Sequence, residues 1–165
     1  MTRRSDIIRN LQVVLAYIDP THTNAPVGTR AFLTTLSSAG VETETQEPDQ
    51  TTGPERPYIG FRDIGQTPGP KMTLESRDEI YFEIRGYPNL RLSKDDLRTQ
   101  VDEMMADVKA AINRDIRLGR PGIADDQVCT FAQTERIDTS DGTLEDLGYF
   151  RCRLRVVYHH PIGEE

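Results

Sequence analysis

From Tyr149 to His160 the chain reads YFRCRLRVVYHH, and apolar and polar positions alternate along it. Phe150, Cys152, Leu154, Val156 and Tyr158 fall on one side of a period-2 repeat. Tyr149, Arg151, Arg153, Arg155, Val157 and His159 fall on the other. This alternation predicts a strand with one buried face. In a regular strand the three arginines of the outer face stand about 6–7 Å apart. Glu79 to Gly86 predicts a second such strand, with Ile80, Phe82 and Ile84 inward and Tyr81, Glu83 and Arg85 outward. Pro57 to Ile64 (PYIGFRDI) reads as a short strand, and Gly65 to Pro70 (GQTPGP) as turn chemistry. Gln127 to Ile137 predicts another strand. Asp138 to Gly148 follows as a turn or loop with an Asp141-Gly142 signal.

Two stretches carry the helical period instead. Ser5 to Ile18 repeats Ile7, Leu11, Val14, Leu15 and Ile18, with Ser5 as N-cap, Asp6 in the first turn and Asp19-Pro20 as the stop. Ser93 to Leu118 carries the stripe Leu97, Val101, Met104, Met105, Val108, Ile112 and Ile116. Ser93 with Asp96 makes a capping-box-like start, Gly119 suits a left-handed cap, and Pro121 forbids continuation. Gly28 to Leu36 fits a strand or a short helix, and its threonines tip it toward strand. The order predicts an α+β fold: an antiparallel or mixed sheet of about four or five strands with two helices packed on one face.

A chain of 165 residues is most simply one domain, spanning 1–165. Within it, Val41 to Arg56 holds Pro48, Gly53 and Pro54 among acids, threonines and glutamines, and reads as a flexible acidic loop or arm over 41–56. The hydrophobic fraction, 36%, is low for a self-contained globule. The net charge of −7 argues against non-specific nucleic-acid binding by the whole chain. Charge is also uneven. Glu42, Glu44, Glu47, Asp49 and Glu55 come without a basic residue between them, whereas Arg151, Arg153 and Arg155 come without an acid. Cys129 and Cys152 lack CxxC spacing and read as buried thiols. The start, MTRRSDII, is periodic rather than continuously apolar, so neither a signal peptide nor a membrane span is expected, and the chain is expected to be soluble and made in a cytoplasm.

Candidate chemistry changes this picture little. The chain has no GxGxxG, Walker A, HExxH or GxSxG pattern. Neighbours on a strand point to opposite faces, so His159 and His160 cannot chelate one ion together; they read as solvent-exposed strand-end residues. His22 sits in a loop and reads as structural. Asp95-Asp96 is explained by helix capping and Asp125-Asp126 by a loop leading into a strand. No catalytic residue, metal site or cofactor is expected, and the chain reads as a non-enzyme. The arginine stripe, joined by Arg85, has two leading readings, and nucleic-acid binding stands a distant third because the net charge is acidic and only 7% of the residues are aromatic. One is a solvated sheet face balanced by cross-strand acids such as Glu83, Glu135 or Glu145. The other is an inter-subunit or partner surface of Arg85, Arg151, Arg153 and Arg155 that receives an acidic segment, with Glu42, Glu44, Glu47 and Asp49 as donors.

The succession SDIIRNLQVVLAYI, PYIGFRDIG, IYFEIRGY, VDEMMADVKAAINRDIRLGRPG and RCRLRVVYHHP resembles the tail terminator (tail-completion) proteins of long-tailed bacteriophages, of the lambda type. The likeness covers 5–18 and 57–161 and rests on the order and spacing of segments. It implies a virion structural protein of the tail or neck, assembled in the host cytoplasm as a homo-oligomeric ring of six copies. In that family the ring caps the tail tube, ends its polymerisation and joins the tail to the head–tail connector protein, while DNA passes through the lumen without sequence-specific binding. No membrane is involved. The family brings no catalytic residues to carry over. The long, acidic 21–56 region departs from its pattern. A neighbouring neck or head-closure component, another minor tail protein, or a small ligand-binding α+β domain are the alternatives.

Overall fold

A computed structural model describes residues 3–22, 31–36, 41–42, 57–71, 74–88, 93–140 and 149–161. Its elements are α1 (Arg3–Ala16), β1 (Val41–Glu42), β2 (Tyr58–Thr67), β3 (Glu75–Tyr87), α2 (Lys94–Arg114), β4 (Phe131–Ser140) and β5 (Tyr149–Pro161). The strands form one sheet in the order β1-β2-β3-β5-β4. β1 runs parallel to β2, and the other pairs are antiparallel, so the sheet is mixed and the fold is α+β.

The sheet is built outward from β3 and β5. Their ladder runs from Glu75 opposite Pro161 to Gly86 opposite Phe150. Strand parity then decides what is inside. Ile80, Phe82 and Ile84 of β3, and Phe150, Cys152, Leu154, Val156 and Tyr158 of β5, are all buried in one core. Ile7, Leu11, Val14 and Leu15 of α1 and Val101, Met104, Val108 and Ile112 of α2 close that core from the same side. Gly86 is a requirement of this packing: a Cβ there would lie 2.0 Å from the ring of Phe150.

Several boundaries differ from the sequence expectation, each for a local reason. α1 begins before Ser5, which lies inside the helix, and ends at Ala16; Ile18 stays in the core beyond the helix end. There the Asp19 carboxylate accepts from both the amide and the hydroxyl of Thr21, which turns the chain. Residues 31–36 are not a strand but a loop seated on α2. The amides of Leu33 and Thr34 and the Thr34 hydroxyl all donate to the buried Asp107 carboxylate, at 2.8, 2.7 and 2.8 Å. A helix side chain thus takes donors that a neighbouring strand would have taken. Residues 28–30 lie outside the described residues. The 41–56 arm begins as strand β1, while 43–56 lies outside them too.

β2 runs on through Gly65, Gln66 and Thr67, where a turn was expected. A bulge between Asp63 and Gly65 lets it continue, and Gly65 takes the φ of 148° that the bulge demands. Ser93 caps α2 as expected, accepting from the Asp96 amide and donating to its carboxylate. The helix stops at Arg114, short of Leu118. Asp115 is extended and caps the turn, accepting from the amides of Arg117 and Gly119. The carbonyls of Ile116 and Arg117 then serve the amides of Ala132 and Val128, which competes with further helix. Leu118, fully buried, takes the left-handed conformation expected of Gly119, and Ile116 leaves the apolar stripe for the surface. β4 begins at Phe131 and runs to Ser140, past the expected end at Ile137, with a register shift between Thr134 and Ile137. The Asp141-Gly142 turn lies outside the described residues.

The connection from α2 to β4 is fastened to α1 by polar contacts. Buried Asn10 donates to the Leu118 carbonyl at 2.8 Å and to the Asp126 carboxylate at 3.0 Å. Arg120 grips the same carboxylate through Nε at 2.7 Å and Nη2 at 2.9 Å. Hydrogen bonding from Arg120, against the opposing effect of burial, lowers the Asp126 pKa to about 2. A folded-state pKa below the ordinary value of about 3.9 gives stability that is complete above that value and lost as pH falls through the folded one. Asp126→Asn is therefore expected to be less stable than the parent at neutral pH, with the difference closing between about pH 4 and 2. Equilibrium denaturation across that range checks this, and a pH-independent difference would contradict it.

Candidate functional site: the outer face of the sheet

The face of the sheet opposite the helices carries the predicted stripe. Register brings Arg85 of β3 opposite Arg151 of β5, Glu83 opposite Arg153, and Tyr81 opposite Arg155. On the far side of β5, Asp138 stands opposite Arg151 and Gln133 opposite Arg155. Glu42 occupies the same row as Arg85 and Arg151, through the pairing of Glu42 with Gly60 and of Gly60 with Arg85. Of the predicted site residues, Arg85, Arg151, Arg153 and Arg155 are thus gathered on one face. Glu44, Glu47 and Asp49 lie outside the described residues, as does Glu145.

The arginines are held unequally. Arg155 makes a two-pronged contact with Glu79, its Nε 3.0 Å from Oε2. The Tyr81 hydroxyl donates to the same carboxylate at 2.8 Å. These hydrogen bonds, Arg155 first, hold the Glu79 carboxyl below its usual range. Glu79 was not among the expected acids; its outward parity on β3 was the signal that marked it. Arg155 also lies over the Phe131 ring, 5.6 Å from its centroid. Arg153 rests on the Tyr81 ring at 4.2 Å and meets Glu135 at 3.5 Å. Arg85 donates to Glu83 at 2.8 Å, and Arg62 of β2 reaches the same acid at 3.1 Å. Burial works against the Arg85 charge, but hydrogen bonding with Tyr87 and the charge of Glu83 raise its pKa. Arg151 meets Asp138 only at 3.8 Å, with both side chains about two-fifths exposed (43% and 40%).

Restraint of the charge therefore falls along β5 from Arg155 to Arg151. Cross-strand acids neutralise the Arg155 end, as the solvated-face reading expects. At the Arg151 end, a shallow depression of about 230 Å³ is lined by Ile64, Glu83, Asp138, Arg151 and Arg153. Its volume is below the range of about 300–1,000 Å³ typical of small-molecule pockets. Its lining sets the acids Glu83 and Asp138 beside the cations Arg151 and Arg153, so the charges of the depression are balanced within the subunit. One outer position departs from the pattern: Val157 is buried, between Glu79 and Phe131 in the register.

The histidines and cysteines resolve separately. His22 stacks on Tyr17 at 3.9 Å, and its Nδ1 lies 2.8 Å from the Tyr17 carbonyl. Cys129 and Cys152 are both free, and burial pushes their thiols up to about 12 and about 11. His160 corrects the reading of an exposed strand end: its side chain is 10% exposed and lies 2.9 Å from Asp78. Asp78 shares the inward parity of Ile80, Phe82 and Ile84, and carrying that period two residues further back marks it as a polar group at a core position. Among the described residues no group of three or more histidine, cysteine and acidic side chains is arranged to hold a metal ion. No helix among them is long and apolar enough to cross a membrane. No family model matches the chain, and no curated protein matches it.

The gradient along β5 is open to measurement. In double-mutant cycles of unfolding free energy, Arg155 and Glu79 are expected to couple more strongly than Arg151 and Asp138. The second coupling is expected to vanish at about 1 M salt, where the screening length is about 3 Å. Equal, salt-insensitive couplings would contradict the gradient.

Proposed function

We propose that this chain is a virion structural protein, a tail terminator of the kind found in long-tailed bacteriophages. The observation that carries the reading is the arrangement of elements. An N-terminal helix, a β2–β3 pair, a long helix and a closing β4–β5 pair form one sheet covered by both helices on one side. The other side, with its rows of arginines and acids, is left to partners. A subunit of a closed ring needs two different surfaces that meet head to tail. In this reading six copies close a ring on the end of the tail tube, stop its growth and present the opposite side to the head–tail connector, with DNA passing through the lumen.

Within that ring, the loosely held Arg151 and Arg153 are the cations free to exchange their own acids for those of a neighbour. Surface pairs of this kind contribute only about 0–1 kcal/mol, so exchanging them costs little. The neighbour's acids are Glu42, Glu44, Glu47 and Asp49. Arg155 stays with Glu79 and serves the subunit itself.

Joint reversal, Arg151→Glu with Arg153→Glu, is expected to weaken self-association of the purified chain, and raised salt is expected to mimic it. Sedimentation velocity measures both; unchanged assembly of the reversed protein would assign the stripe to solvent. The function itself is tested by deleting the gene from its phage. Loss of a terminator gives tails of uncontrolled length by electron microscopy. Tails of normal length on leaking heads would instead indicate a head-closure protein.

A further inference from the structure

The polar cluster at the end of the central ladder lies outside the surface described above. His160 sits opposite Ser76 in the β3–β5 ladder, with its imidazole inside the structure. Its Nε2 is 2.9 Å from Asp78 Oδ2, and its Nδ1 is 3.0 Å from the Pro161 carbonyl oxygen. Both neighbours are acceptors. The Asp78 carboxylate also accepts from Ser76 Oγ at 2.9 Å, from Gln66 Nε2 at 3.0 Å and from the Gly69 amide at 3.2 Å. A neutral imidazole has one N–H and one bare lone pair. Either tautomer would therefore set a nitrogen lone pair against an oxygen at hydrogen-bond distance. Only a ring protonated on both nitrogens satisfies both contacts.

We propose that His160 is held as an imidazolium paired with Asp78, and that this pair is a proton-dependent latch on the end of β5. The groups around the ring fit this assignment. Asp78 is the charged residue of β3 that meets it; Arg77 and Glu79 alternate to the outer face, where Glu75 engages His159 at 3.7 Å. β2 sends Gln66, which also donates to the Tyr158 hydroxyl at 2.9 Å. β5 contributes the Tyr158 ring, 5.6 Å from the imidazole. Lys71, in the β2–β3 connection, is exposed. Burial raises the Asp78 pKa, but hydrogen bonds from His160, Gly69, Ser76 and Gln66 outweigh it and hold the carboxyl below its usual range.

The carboxylate ties together three strand ends: Gln66 and Gly69 from β2 and its turn, Ser76 from β3, and His160 from β5. Gly69 lies so close to β3 that a Cβ there would fall 1.5 Å from the Arg77 carbonyl oxygen. When rising pH removes one proton, the ring keeps one donor. It gives that donor to the carboxylate and turns a lone pair toward Pro161, and the bond to Asp78 loses the cationic half of its charge-assisted pair, so the hold of β3 on the end of β5 weakens. Protons favour the closed latch, and its contribution is lost as pH rises through the ring's transition.

Side-chain nitrogen NMR of the full chain tests the assignment directly and does not depend on the proposed function. Both His160 ring nitrogens are expected to carry protons at about pH 7.5, where an ordinary imidazole, with a pKa of about 6.5, is mostly neutral. In Asp78→Asn one of them is expected to be bare at that pH. Amide-exchange protection of Gly69 and Ser76 is expected to fall, by up to about tenfold per pH unit, as pH rises from the ordinary imidazole pKa to that of the ring in the parent, and to show no such step in His160→Gln. A bare ring nitrogen in the parent at about pH 7, or identical pH profiles for parent and His160→Gln, would overturn the proposal.

Discussion

The structure depends on the antiparallel ladder between β3 and β5. Strand parity leaves no freedom once that register is set, because a slip of one residue would turn every inward side chain outward. Ile80, Phe82, Ile84, Phe150, Leu154 and Val156 make the inner face, and α1 and α2 have nowhere else to bury their stripes. The same register fixes the outer face. Glu79, Tyr81, Glu83 and Arg85 meet Arg151, Arg153 and Arg155 because their inward neighbours are already committed. The charged surface is thus a by-product of core packing before it is a surface for anything else. Its uneven restraint follows from which acids happen to lie across the ladder.

Periodicity made the two long helices, the two central strands and their inward residues legible, since burial on one side is what imposes a period. It was silent where one polar side chain organises a distant backbone. Nothing near Leu33 and Thr34 announces that Asp107, on the opposite side of a long sequence gap, will take their amides. Nothing near Leu118 announces Asn10. The early end of α2 has the same origin, because the carbonyls of Ile116 and Arg117 are claimed by residues that follow the next loop. Glycines misled twice in one direction. Gly65 supports a bulge within a strand rather than a turn, and Gly119 yields the left-handed position to Leu118. In each case the local signal was right about unusual backbone and blind to the pairing around it.

The candidate surface was half legible. Its arginines could be read from alternation alone. Their inequality could not, since it arises from three-dimensional pairing: two prongs to Glu79 for Arg155, an aromatic ring for Arg153, and one long contact for Arg151. The polar interior at the far end of the ladder was hidden for a related reason. His160 looks like an ordinary strand-end histidine until Asp78 is seen across the sheet.

The position of β5 has a consequence for how the chain comes together. This strand lies between β3 and β4 in the sheet, yet it follows both in the chain. While the polypeptide is being made, β3 and β4 both wait with an open edge for a strand that has not yet emerged. Such an order delays closure of the core, and open edges are where chains stick to one another. The acids and arginines on the outer faces of these strands keep the waiting pieces charged. They are therefore of use to the nascent chain before the finished sheet has any partner to meet.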